Sequence, residues 1–118
     1  MKKKLENIKT IYLSGKITGE KNYKEKFAEA ESKLTEMGYK VVNPSVISVF
    51  DFFTHEQFLH IDYSLIDCCD ALFMLPDWQN SKGAIKEWHY AEAHGKTIIF
   101  QHELSEIEEK VVKQSLFL

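Results

Sequence analysis

Short runs of strand-forming residues alternate along the chain with longer segments in which apolar residues return every three or four positions. Residues 9–14, Lys-Thr-Ile-Tyr-Leu-Ser, are rich in strand formers and stop at Gly15, which predicts a first strand. From Lys21, apolar residues fall at Tyr23, Phe27, Ala30, Leu34 and Met37, spacings of 4, 3, 4 and 3 that predict a helix with one buried face. Gly38 fits the C′ position of that helix. This spacing assigns Tyr23 and Phe27 to the core and gives them no ligand role.

Tyr39 to Val42 predicts a second strand, closed by Asn43-Pro44 because a residue before proline is driven away from helical backbone. Residues 45–53 carry no readable period; of Phe50, Phe52 and Phe53, two are expected to pack inward and at most one to touch a ligand. Thr54 and Gln57 have capping-box spacing and open a helix through about Ile66. Ala71 to Leu75 is a continuous apolar run ended by Pro76, the mark of a strand covered on both faces. Ser81 to about His94 reads as a helix ending at Gly95, and Thr97 to Phe100 as a further strand. Ser105 and Glu108 fit a second capping box before Ile107, Val111 and Val112. The order βαβαβαβα predicts one domain with a three-layer α/β architecture, Rossmann-like or flavodoxin-like. Its parallel sheet should have four to five strands, with helices on both faces.

Composition narrows the function classes. The 118 residues are enough for one domain of ordinary size, and 44% apolar with 28% charged residues describes a chain that buries a core. Fifteen Lys+Arg against 18 Asp+Glu give a net charge of −3, so a fold-wide basic surface for polymeric nucleic acid is not expected. No apolar run approaches the ~20 residues that span a bilayer, and Met1-Lys2-Lys3-Lys4-Leu5-Glu6 lacks the apolar segment of a signal peptide. The Lys2–Lys4 run reads as a solvated terminus. The only cysteines, Cys68 and Cys69, are adjacent; they cannot staple a fold and are expected to be buried and structural, which suggests a reducing, cytoplasmic setting. The five histidines, at 55, 60, 89, 94 and 102, never take His-x-x-x-His spacing, so neither a metal nor a cofactor is expected.

In open parallel sheets, ligands bind beyond the carboxyl ends of the strands where the strand order reverses, which selects segments 14–19, 43–53 and 76–83. Ser14-Gly15-Lys16-Ile17-Thr18-Gly19 could cradle an anion, with Gly15 and Gly19 letting amides approach and Lys16 and Thr18 adding a charge and a hydroxyl. A plain flexible turn fits it equally well. Ser81 and Gly83 open a helix whose amides could hold a phosphate, with Glu87 one turn further on. Spacing alone favours Glu87 as an ordinary first-turn glutamate, and two apart from His89 it forms no acid–base pair. Asp62, Asp67 and Asp70 supply further carboxylates; Asp62 and Glu87, from different helices, could divide acid and nucleophile roles if the fold brought them together. Trp78 could stack on a base or cap the core beside Pro76, and the two readings stand even.

Taken together, these residues resemble the nucleoside 2-deoxyribosyltransferase-like superfamily from about Thr10 to Phe100. The resemblance lies in Ile11-Tyr12-Leu13 before a Gly-bearing loop, Asp62, Cys69-Asp70-Ala71-Leu72, and Ser81-x-Gly83-x-x-x-Glu87 opening Glu87-Trp88-His89-Tyr90-Ala91-Glu92-Ala93-His94-Gly95-Lys96. A subgroup with Asn-Pro after the second strand and Leu-Pro-x-Trp-x-x-Ser after the third looks closest.

The resemblance implies cleavage or exchange of an N-glycosidic bond, with Glu87 as nucleophile, Tyr12 positioning it, and Asp62 in the pocket as acid to the departing base. Ser81 stands where nucleoside enzymes carry an aspartate. It resembles the nucleoside 5′-monophosphate N-glycosidase branch, where serine binds phosphate, although that branch has an arginine where Thr18 stands. The implied partner is a small nucleoside or nucleotide, handled by catalysis or by a non-catalytic binding module with the same pocket. The resemblance also implies a homodimer or higher homo-oligomer, for which the apolar tail Ser115-Leu116-Phe117-Leu118 is a candidate contact.

Overall fold

The computed structural model describes residues 7–104, in which four strands alternate with three α-helices. In chain order these are β1 (Thr10–Ser14), α1 (Tyr23–Glu36), β2 (Lys40–Val42), α2 (His55–Asp67), β3 (Ala71–Met74), α3 (Lys82–Ala93) and β4 (Thr97–Phe100). Short 3₁₀ segments cover Pro44–Val49, Trp78–Asn80 and Gln101–Glu103. All strand pairs are parallel and the sheet order is β2-β1-β3-β4, so the order reverses between β1 and β3. The helix expected from Ser105, the Lys2–Lys4 run and the Ser115–Leu118 tail lie outside the described residues.

Strand alternation divides the core into two layers. Ile11 and Leu13 of β1, Phe73 of β3 and Ile99 of β4 face α1, where Phe27, Ala30 and Leu34 complete a buried apolar cluster. Tyr12, Leu72 and Met74 face the other way, towards Ile66 of α2 and Ala84 and Ala91 of α3. The three-layer α/β expectation therefore holds, with α1 on one face and α2 and α3 on the other.

Local chemistry explains the element boundaries. Thr54 Oγ1 accepts the N–H of Gln57 at 3.1 Å, and Gln57 Oε1 accepts that of Thr54 at 2.8 Å, so α2 opens on the expected capping box. Gly38 ends α1 with φ +98°, a backbone conformation that favours glycine. Asp70 joins the starts of β1 and β3 by accepting the N–H groups of Lys9 at 2.8 Å and Thr10 at 3.0 Å. Those two bonds hold its carboxyl below the usual aspartate range.

Two expectations need correction. Phe50 and Phe52 do not pack inward: they are 43% and 75% exposed, and the rings gather on one another instead of on the sheet. Phe50 stacks on Phe53 at 5.3 Å, Phe52 meets Phe53 edge-on at 4.9 Å, and Phe53 reaches Phe58 at 5.7 Å. Cys68 is the exposed C-cap of α2, whereas Cys69 is buried and its thiol is pushed up to about 11, chiefly by burial.

Candidate functional site

The site grows from the end of β1. Tyr12 and Ser14 are two residues apart on a strand, so both point to the α2/α3 face at the point where the strand order reverses. Ser81 caps α3, its Oγ accepting the N–H of Ala84 at 3.1 Å. The resulting helix turns Ala84, Glu87 and Ala91, three and four residues apart, into the sheet. The flanking alanines leave room for a glutamate to lie flat against β1.

Glu87 is only 6% exposed. Tyr12 donates its phenol hydrogen to Oε2 at 2.8 Å, and Ser14 donates its hydroxyl hydrogen to Oε1 at 2.7 Å. Both carboxylate oxygens are thus engaged, which excludes the solvated first-turn glutamate that spacing alone favoured. Burial raises the Glu87 carboxyl well above the usual glutamate range, and Asp62 beside it adds to the rise, while the two hydroxyls pull the other way. Asp62 is also raised, by burial, and its Oδ1 is buried with no hydrogen-bond partner among the described residues. The phenol of Tyr12 rises well above its ordinary value through burial and the two carboxyls.

Two acids and two hydroxyls, drawn from β1, α2 and α3, therefore meet in one largely buried spot. A buried acid pair of this kind resists double ionisation, because burial and each neighbouring carboxyl disfavour the second charge. It can present one carboxylate as a nucleophile and the other as an acid.

The remaining residues singled out in the sequence lie around this centre. Gly15 is buried, and a β-carbon there would lie 2.7 Å from Leu75 Cδ1 and 2.9 Å from Leu75 Cβ, so close packing, with no ligand, already requires a glycine. The N–H of Lys16 is donated to Asp77 Oδ1 at 3.0 Å, which pins the first loop to the end of β3. Asp77 also lies 3.4 Å from Lys26 Nζ, which pairs with Glu20 at 3.0 Å. Thr18 is exposed and Gly83 half-buried in the first turn of α3. Trp78 packs on Trp88 at 5.5 Å and Phe100 at 5.8 Å, the arrangement of a core cover.

Sequence reasoning passed over Ser14 and Tyr63. Ser14 could have been found from the two-residue period of β1, which puts it on the same face as Tyr12. Tyr63 gave no signal: its ring stacks on Tyr90 with centroids 4.1 Å apart, and its phenol is raised by burial and by Glu87 and Asp62. Among the described residues no group of three His, Cys, Asp or Glu side chains could hold a metal ion, and no helix is long and apolar enough to cross a membrane.

Solved structures that share this fold include two enzymes of nucleoside chemistry. One is the 2-deoxyribosyltransferase of Bacillus psychrosaccharolyticus, at 21% identity and TM-score 0.62, the match covering 77% of this chain and 70% of that one. The other is the CMP N-glycosidase BcmB of Clostridium botulinum, at 23% identity and TM-score 0.57, covering 93% and 100%. At these identities the likeness is one of fold. No curated protein matches the sequence. Residues 9–100, from the approach to β1 through the end of β4, match the family described as "Domain of unknown function (DUF4406)", and the chain belongs to that family.

Proposed function

We propose that the protein cleaves or exchanges the N-glycosidic bond of a nucleoside or nucleoside 5′-monophosphate through a covalent intermediate on Glu87. The observation that carries this reading is the buried Glu87 carboxyl, gripped by Tyr12 and Ser14 with Asp62 beside it. The two fold neighbours, a deoxyribosyltransferase and a CMP N-glycosidase, support the reaction class.

The geometry suggests a sequence of bond changes. With a proton on Asp62, Glu87 is the carboxylate and its oxygen attacks C1′ of the sugar. As the C1′–N bond breaks, Asp62 gives its proton to the departing base, which leaves neutral. Asp62, now ionised, takes a proton from water; the resulting hydroxide attacks C1′ of the glycosyl ester and releases Glu87. A second base arriving in place of water would give exchange. Tyr12 and Ser14 hold Glu87 aimed at C1′ and stabilise its charge each time it reappears. In this reading Asp62 Oδ1, which has no hydrogen-bond partner among the described residues, is the atom that serves the base.

A 5′-phosphate is favoured over a free 5′-hydroxyl because position 81 is a serine, where an aspartate would repel it. In this reading Ser81 and Gly83 in the first turn of α3, with the Lys16 and Thr18 side chains, face the phosphate. The test is base release from a panel of nucleosides and their 5′-monophosphates, with Glu87→Ala as the control. Release from a 5′-monophosphate that disappears in the variant supports the proposal. Thermal stabilisation by a nucleotide without any base release would favour a binding module that uses the same pocket.

A further inference from the structure

Asp62 has an unusual difficulty for a residue expected to act at a defined atom. Its Oδ1 makes no hydrogen bond among the described residues, so its interactions with Glu87 and Tyr12 leave one carboxyl oxygen unanchored. The placement of α2 therefore matters to it, and α2 meets α3 both through Ile66 against Ala84 and Ala91 and, nearer the acids, through Tyr63 and Tyr90. Tyr63 follows Asp62 in the chain, and Tyr90 lies three residues after Glu87, one position round the same helix. Their rings stack with centroids 4.1 Å apart and only 4° between planes.

Tyr90 is held on its other sides as well. The His94 ring stacks on it at 4.0 Å, its phenol donates to Asp67 Oδ1 at 2.7 Å, and Lys96 Nζ donates to the Asp67 carbonyl at 3.2 Å. A ring needed only to fill space would require none of these. A ring stack adds a contact of defined geometry to the packing of the two helices.

We propose that the Tyr63–Tyr90 stack sets the approach of Asp62 to Glu87, and that Tyr90 is a positioning residue for the acid pair. The inference rests on the reading of Asp62 and Glu87 as a working pair. The groups facing those carboxyls are Tyr12 and Ser14 from β1 and Tyr63 from α2; Tyr90 does not act on them directly. A change at Tyr90 that alters the pair must therefore act through helix placement.

The test needs no substrate. Carboxyl carbons are followed by NMR through a pH titration of the full chain in wild type, Tyr90→Leu, Tyr90→Phe and Asp67→Ala. In Tyr90→Leu the elevated Glu87 titration should fall towards the ordinary glutamate range by about one unit, with the two carboxyls titrating more independently. Tyr90→Phe keeps the ring, and Asp67→Ala removes only the exposed anchor; each should show a smaller shift in the same direction. An unchanged Glu87 titration in folded Tyr90→Leu overturns the proposal. If that variant does not fold, an unchanged titration in both Tyr90→Phe and Asp67→Ala overturns it. Where wild type turns over a nucleotide, Tyr90→Leu should lower kcat about 10-fold with little change in KM. Absence of turnover in wild type counts against the proposed reaction and leaves the titration result standing by itself.

Discussion

On the α1 side of the sheet, Ile11 and Leu13 meet Phe27, Ala30 and Leu34, and no charged group is buried there among the described residues. On the opposite side, the intervening residues of the same strand, Tyr12 and Ser14, carry hydroxyls to a buried glutamate with an aspartate next to it. One five-residue strand thus has an apolar edge that stabilises and a polar edge that does not. Burying two acids is unfavourable, and their proximity raises the cost because both cannot ionise freely. A fold seeking only stability would put apolar side chains at 62 and 87. The contrast marks the Glu87 and Asp62 face as the place for the proposed chemistry without reference to any relative.

Substitutions on the two faces should therefore fail differently. The largest effect is expected from Glu87→Ala, which should lower base release by about 10⁴-fold or more, measured by chromatography of the freed base, while the protein remains folded. Asp62→Asn should slow release by about 10³-fold and bring the Glu87 titration down, since the neighbouring acid no longer opposes ionisation. Bases that leave readily without protonation should be affected least. On the other face, Leu34→Ala should cost about 3 kcal/mol in urea denaturation and leave kcat of the surviving folded fraction unchanged. A Leu34→Ala variant that lost kcat without losing stability would erase the distinction between the faces.

The smallest effect is a stability that depends on pH in a particular direction. Glu87 and Asp62 both have folded-state values raised above their unfolded ones. Below the ordinary carboxylate range both states hold these protons and the pair costs least. As pH rises, the unfolded chain releases them first, so stability falls until the raised folded values are passed. Glu87→Gln removes the Glu87 share of that slope and leaves that of Asp62, so its stability relative to wild type in urea denaturation should grow as pH rises through the carboxylate range. A difference that stayed flat with pH would mean that the pair is not buried as described.

Much of this was legible in the sequence because single residues carried the signal. Gly15 stopped β1, the Thr54/Gln57 box opened α2, and Gly38 closed α1, each where local backbone chemistry leaves few choices. Residues 45–53 were illegible because Pro44–Val49 is a short 3₁₀ segment and the rings of Phe50, Phe52 and Phe53 pack on one another, so no sheet or long helix imposes a period. Glu87 was ambiguous for another reason. A glutamate near the start of a helix is common, and although the structure puts Glu87 in the second turn, only the alanines at 84 and 91 hinted that its face is the buried one. The meeting of Asp62 with Glu87 depends on how α2 packs against α3, a long-range contact that no local pattern encodes. Tyr63 and Tyr90 stayed hidden on the same account.

The most direct measurement is a mass spectrum of the protein after incubation with 2′-fluoro analogues of the nucleotides, in which the ester on the enzyme breaks down slowly. The account predicts that a peptide containing Glu87 gains the mass of the fluorinated sugar phosphate, that free base appears in equal amount, and that Glu87→Gln shows neither. Base release with no adduct on Glu87, or an adduct on a different carboxylate, would contradict it.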